Sequence, residues 1–334
     1  MNAIWQTFLT ERGAVFASDT VQHFGDSAAE LRVTTDGAVQ CDLSQFGVLR
    51  VSGEDAQSFL QNLLSNDIRD VTATHAQLSS FNSPKGRMLA SLLIWREGTD
   101  YVLQVPRSLA EMMRKKLSMY VLRSKVKVSD VSDERVMIGV SGDLVNLSLL
   151  FNTLPEHYFG VVSTEMVSVL RLSDTRFQIT TTVEHAPALW QSLNRTPVGS
   201  ACWDWLTIQA GIPVILPVTQ EQFVPQMVNF ELLGGVNFKK GCYPGQEIVA
   251  RMQYLGKLKR RMYRAHLTNP AQAGDEVYSA DMAGQASGMI VNVAPAPEGG
   301  FDVLVVLQIS SRENETIHLQ SLDGEAMTIM PNGV

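Results

Sequence analysis

The chain has 334 residues, 45% of them hydrophobic and 18% charged, with a formal net charge of −7. That length gives two or three domains and ample room for a core. The acidity excludes broad nucleic-acid coating, which depends on Lys and Arg neutralising phosphates, and DNA is not an expected partner. Three widely spaced cysteines, Cys41, Cys202 and Cys242, make neither a disulfide framework nor a CxxC zinc site. No apolar run reaches the length of a membrane span. The first ten residues lack the basic stretch and apolar core of a secretory signal, so a cytoplasmic protein is expected.

In chain order, a strand is predicted over 46–52. Gly53-Glu54-Asp55 then leads a helix with Phe59, Leu60, Leu63 and Leu64 on one face. Strands follow at 76–81, 88–95 and 101–105, the first two joined by the turn Asn82-Ser83-Pro84-Lys85-Gly86. Residues 107–122 read as a helix whose apolar stripe holds Leu109, Met112, Met113 and Leu117; its methionines belong to a core rather than a soft-metal site. A second pass runs through a strand at 136–140, a helix at 144–154, strands at 167–172 and 177–181, and helices at 184–193 and 200–210. No Gly-rich phosphate loop follows any of these strands, which argues against a Rossmann domain. Beyond Tyr263 only strands are predicted, at 263–267, 276–279, 286–293, 301–308, 316–320 and 326–330. They read as a small closed or nearly closed β-barrel. The expected domains are therefore 1–135, 136–255 and 256–334.

The most informative stretch is Lys239-Lys240-Gly241-Cys242-Tyr243-Pro244-Gly245-Gln246-Glu247-Ile248-Val249-Ala250-Arg251. Pro244 suits the first turn of a helix, where its missing N–H has no partner to lose. Cys242 then falls close to an N-cap, where unpaired N–H groups and the helix dipole favour a thiolate. Lys239, Lys240 and Arg251 add positive charge, so a reactive cysteine is expected. Cys41, near a predicted strand, and Cys202, in an apolar helix, read as buried filler. The basic run Lys257-Leu258-Lys259-Arg260-Arg261 reads as a solvated strand edge, with an RNA site as the alternative.

Phe223-Val224-Pro225-Gln226, Asn229, Leu233-Gly234-Gly235-Val236 and the stretch from Lys239 to Arg251 together resemble the YgfZ family of folate-binding, tRNA-modification and iron–sulfur maintenance proteins. The match extends to Gly211-Ile212-Pro213-Val214 and to Gly53, Phe59-Leu60-Gln61 and Asn66-Asp67, so it covers most of the chain. More distantly, the layout is similar to the T-protein of the glycine cleavage system, an aminomethyltransferase that uses tetrahydrofolate. The resemblance implies an α+β fold of three lobes around a central folate channel: two α/β lobes, one ferredoxin-like, and a C-terminal β-barrel. T-proteins carry an R-G-G-x-I-D-D segment with a catalytic carboxylate. Here the segment is Lys85-Gly86-Arg87-Met88-Leu89-Ala90-Ser91, and Ala90 and Ser91 replace both acids. Losing such a group lowers a rate by about two orders of magnitude or more, so aminomethyl transfer is not expected.

A pterin site needs aromatic walls, a polar side chain at the ring edge and cations for the tail. The resemblance places Phe46 and Trp203 as the aromatics, Gln209 (in Gln209-Ala210-Gly211-Ile212-Pro213) at the ring edge, and Gln226, Asn229 and Arg251 as further contacts. Arg87 is an additional candidate for the tail. The implied cofactor is tetrahydrofolate or another reduced folate. Residue chemistry alone leaves alternatives: Phe46 and Trp203 as plain core, Gln226 and Asn229 as turn caps, and Arg87 or Arg251 as one member of a surface ion pair. The implied function is a folate-binding accessory factor for iron–sulfur cluster assembly or repair and, through tRNA-thiolating radical enzymes as partners, for tRNA modification. Cys242 is its reactive thiol. A stable cluster needs four ligands, so no resident metal is expected. The alternative function is a folate-dependent one-carbon transferase.

Overall fold

Short apolar runs bounded by turn residues decide the strands, and many of them are buried along their whole length. In a computed structural model that describes residues 1–151 and 153–331, the chain divides into two compact units. Residue 152, inside the helix expected over 144–154, and residues 332–334, at the end of the expected barrel domain, lie outside the described residues.

The first unit comprises Met1–Leu60, Ile68–Gln77 and Leu92–Trp203. Its larger sheet has six strands in the order Val161–Ser163, Val167–Arg171, Arg176–Thr182, Arg135–Ser141, Val39–Asp42, Thr196–Val198. All neighbours are antiparallel except the last pair. Phe177 and Ile179 alternate with polar residues and, with Val136, Ile138 and Val140, make one apolar face. Helices Ala3–Thr10 and Ala186–Leu193 cover that face with Trp5, Leu9, Trp190 and Leu193. The helix Ser27–Asp36 adds a buried Glu30, whose carboxylate accepts the N–H groups of Phe24 and Gly199. In a further sheet Phe46–Ser52 pairs with both Asp100–Pro106 and Lys127–Asp130, and the helix Arg107–Met119 packs on it. Gln178 Nε2 donates to Gln104 Oε1 at 2.6 Å, joining the two sheets.

The second unit comprises Gln61–Asp67, Leu78–Ser91 and Asp204–Val334. Its sheet, in the order His318–Leu319, Glu276–Tyr278, Ala286–Pro295, Phe301–Gln308, Arg260–Leu267, Thr328–Ile329, curls into a half-barrel. Ala265, Leu267, Val277, Ile290, Val303, Val305, Leu307 and Ile317 fill its inside. The two rims are tied together, because Met327 N–H donates to Ile317 O at 2.8 Å and Leu319 N–H to Glu325 O at 2.9 Å. The hairpin turn is present, with Ser83 N–H donating to Arg87 O.

Several helices are shorter than their apolar stripes suggest: Ala56–Gln61, Arg107–Met119 and Val145–Leu150. Apolar residues beyond these ends, such as Leu63 and Leu64, are buried from turns instead. The helices Ala3–Thr10 and Ser27–Asp36 lie ahead of the first predicted element. Each is started by a side-chain cap: Asn2 accepts from Ile4 N, and Asp26 from Ala28 N and Ala29 N.

Gly139 shows how tightly the first unit is packed. A Cβ built there would lie 2.5 Å from ring carbons of Trp203. Gly139→Ala should therefore destabilise the protein by about 1–3 kcal/mol through overpacking, measured as a lower urea midpoint; an unchanged midpoint would mean the indole has room to move away.

Candidate functional site

The helix after the cysteine begins later than the proline suggests. It spans Gln246–Tyr254, and its N-cap is Gly245, in the left-handed region at φ 77°. Pro244 stands outside the helix and Cys242 three residues before the cap. The helix dipole acts over the first turn only, so the expected N-cap position for the thiol is corrected to a loop position. Gly245 is required there twice over: by its φ, and because a Cβ would lie 2.5 Å from Gly86 Cα and N and from Ser83 O. The cysteine loop is thus seated directly on the hairpin turn.

Lys240 fixes the other end of the loop. Its side chain is buried, 6% exposed, and its ammonium donates to Gln61 O at 2.6 Å, Leu64 O at 2.5 Å and Asn66 O at 3.1 Å. These carbonyls lie at and just beyond the C-terminal end of the helix Ala56–Gln61, where carbonyls lack intrahelical partners. An ammonium has three donors, and this cage uses that number. Tyr243 is also buried, which pushes its phenol well above the usual range, and its ring centroid is 5.2 Å from Lys240 Nζ. Further bonds fasten the neighbouring backbone: Asn237 N to Ser65 O, Ser65 Oγ to Gly235 O and Asn66 Nδ2 to Gly234 O. Between these anchors Cys242 is exposed, whereas Cys41 and Cys202 are buried.

Other candidates in the second unit have partners of their own. Gln226 sits in the 3₁₀ turn Pro225–Val228 and donates Nε2 to Val249 O at 2.7 Å; its buried Oε1 has no hydrogen-bond partner among the described residues. Asn229 caps that turn at φ 58°, donates to Met262 O at 2.9 Å and accepts from Arg261 Nη1. Arg261 also pairs at 2.5 Å with Glu231, whose side chain is 7% exposed, so one member of the basic run is held in an ion pair. Arg251 is exposed on the helix Gln246–Tyr254. Arg87 donates to the carbonyls of Glu221 and Gln222. Ala90 is fully buried, and Ser91 Oγ accepts the N–H of Ile215 at 3.1 Å.

Gln209 belongs to a network that sequence reading missed. Its Nε2 donates to Asp302 Oδ2 at 2.8 Å, and its Oε1 accepts from Arg264 Nη1 at 2.8 Å. Asp302, 5% exposed, also accepts from Trp205 Nε1 and His266 Nδ1, both at 2.8 Å. The available signals were spacing: Trp205 and Gln209 four apart on a helix, Arg264 and His266 two apart on a strand, and one carboxylate in the apolar run 301–307.

In the first unit, Phe46 is half-buried at the start of the strand Phe46–Ser52. Trp203 is 3% exposed; its ring lies against Gly139, with the Arg176 guanidinium carbon 4.5 Å from the ring centroid. Burial draws the Arg176 guanidinium down to about 10. Among the described residues, no group of three or more His, Cys, Asp or Glu is placed to hold a metal, and no helix is long and apolar enough to cross a membrane.

Comparison with known proteins places this arrangement. Residues 2–147 match the family described as the GCVT N-terminal domain. The chain is 29% identical over 297 residues to the tRNA-modifying protein YgfZ of Photorhabdus laumondii, covering 86% of this chain and 90% of that one. It is 33% identical over 227 residues to the tRNA-modifying protein YgfZ of Klebsiella pneumoniae, covering 66% of this chain and 69% of the relative. The chain belongs to the YgfZ family. The solved structure of the glycine cleavage system aminomethyltransferase T from Bartonella henselae superposes with a TM-score of 0.81 over 99% of this chain and 97% of that one, at 17% identity. This YgfZ-family chain therefore has the aminomethyltransferase T fold, as the resemblance implied.

The two glycines beside the thiol make a paired test. Gly245→Ala should destabilise the protein by about 2–4 kcal/mol, from left-handed backbone plus overlap with Gly86. A Cβ at Gly241 meets nothing within 4 Å, so Gly241→Ala should change stability by no more than about 0.5–1 kcal/mol. Urea unfolding of the two variants should separate them; equal midpoints would remove the close contact from the account.

Proposed function

We propose that this chain acts in tRNA modification as a tetrahydrofolate-binding accessory factor for iron–sulfur enzymes, with Cys242 as its working thiol. The observation that carries the reading is the contrast within the motif: Lys240 and Gly245 are locked into backbone contacts while Cys242 is left exposed between them. A loop held at both ends presents a thiol to a partner without first having to be ordered, and such pre-organisation lowers the entropic penalty of docking. Relatives named as tRNA-modifying proteins support the link to tRNA. One thiol holds no cluster alone, so the proposed contact with a cluster is transient and shared with the partner enzyme.

Tetrahydrofolate, or another reduced folate, enters through family membership and the fold. Gln209, Gln226, Asn229 and Arg251 of the second unit are the proposed contacts. Gln226 supports this with a buried carbonyl oxygen that has no hydrogen-bond partner among the described residues. The one-carbon transferase alternative is disfavoured: position 90 carries a buried methyl group, and Ser91 already accepts a backbone N–H. The proposed compartment is the cytoplasm, where thiols stay reduced.

Alkylation should distinguish the three cysteines. Iodoacetamide should modify Cys242 in the folded protein and reach Cys41 and Cys202 only after denaturation; slower labelling of Cys242 than of the other two would rule out an accessible thiol. Function is read by rescue of a deletion strain under oxidative stress. Wild-type protein should restore methylthio-modified tRNA and iron–sulfur enzyme activity. Cys242→Ala should fail to do so while still giving saturable heat with tetrahydrofolate in calorimetry. Full rescue by Cys242→Ala would dismiss the thiol, and absence of folate heat in the wild type would dismiss the cofactor.

A further inference from the structure

Residues 112–129 carry Arg114, Lys115, Lys116, Arg123, Lys125 and Lys127 and no carboxylate, within a chain whose net charge is −7. They run from the end of the helix Arg107–Met119, through a turn, into the edge strand Lys127–Asp130 of the first unit. Arg114 and Lys115 share Glu111, and Lys125 pairs with Glu54. Asp55 receives the Lys125 backbone N–H. Lys116, Arg123 and Lys127 take part in no ion pair among the described residues. Between the cations Met119, Tyr120 and Leu122 are exposed, Leu122 by 88%.

This cation excess with an aromatic in its midst matches a single chemistry. An anionic membrane attracts cations too, but an interfacial helix must insert a whole apolar face. Here that face, Leu109, Ala110, Met113 and Leu117, is already buried in the first unit, leaving three projecting side chains. A nucleic-acid backbone asks for less: several point cations for phosphates and a ring on which an unstacked base can lie. We propose that residues 114–127 form a docking surface for the phosphate backbone of RNA, with Tyr120 as a base-stacking platform. The inference rests on the tRNA-modification reading and adds direct contact between this chain and RNA.

The test is binding of a fluorescein-labelled unmodified tRNA transcript by full-length protein, followed by anisotropy across a potassium chloride series. Each phosphate contact contributes about 0.7–0.9 to the slope of log affinity against log salt, so the wild type should show a slope of about −3 to −5. Lys116→Gln/Arg123→Gln/Lys127→Gln should flatten it by about 2–3 and weaken binding roughly tenfold or more at about 0.1 M salt. Tyr120→Ala should weaken binding roughly tenfold with the slope unchanged. Lys257→Gln/Lys259→Gln, in the other basic run, should bind as the wild type does. All these side chains are exposed or half-exposed, so urea midpoints should stay with the wild type.

Absence of salt-dependent binding by the wild type, an unaltered slope in the triple variant, or loss of binding on changing Lys257 and Lys259 instead would each overturn the proposal. So would a triple variant that keeps its tRNA affinity but no longer sediments with phosphatidylglycerol vesicles. Cys242→Ala leaves these side chains untouched. Full rescue by Cys242→Ala therefore counts against the thiol alone, and a flat salt titration against the RNA surface alone.

Discussion

One ammonium group organises the loop on which the functional reading depends. Lys240 Nζ meets carbonyl oxygens of Gln61, Leu64 and Asn66 at and beyond the end of a short helix, and it is almost wholly removed from solvent. A buried cation is tolerated only when its donors are matched, because burying charge without partners costs several kcal/mol. The same three bonds satisfy carbonyls that the turn after that helix leaves without helical partners. Removing the ammonium would take a hydrogen-bond donor from all three carbonyls. The lysine is therefore a fastening for the cysteine loop, and of the three cations that sequence reading set around the thiol this one is bound to backbone oxygens.

The same economy recurs around the positions where the resemblance implies carboxylates. Ser91 stands where the resemblance puts a carboxylate, and its hydroxyl accepts the N–H of Ile215. Gln209 stands where a glutamate is implied; it donates to Asp302 and accepts from Arg264. A carboxylate could accept from Arg264 but could not donate to Asp302, and the two negative charges would face each other. Glutamine is thus the residue this network accommodates, with Asp302 carrying the negative charge.

Much of the fold was legible because its strands are short apolar runs bounded by turn residues. The strands Phe46–Ser52 and Phe301–Gln308 fall where periodicity puts them, and the all-strand tail does curl on itself. Helix ends were less legible, since Leu63 and Leu64 continue an apolar stripe but are buried from a turn. The helices at 3–10 and 27–36 depend on single capping side chains, Asn2 and Asp26, and on a buried Glu30 that looks like a surface residue in sequence. At the site, the motif announced Cys242 correctly as the exposed cysteine, yet Pro244 pointed to the wrong helix start. The positive φ of Gly245 and its contact with Gly86 set that boundary, and contacts between distant segments leave no local trace in the chain. The network around Asp302 was hidden for the same reason.

The tied rims of the half-barrel have a consequence for how the protein behaves at high concentration. A curled sheet ordinarily ends in two ladders of unmatched amides, each able to template a strand from a neighbouring molecule. Here the bonds from Met327 to Ile317 and from Leu319 to Glu325 turn those ladders toward one another. The β-rich unit spends its sticky borders on itself, so fibre-like stacking of one copy on the next has little to build on until that short hairpin comes undone.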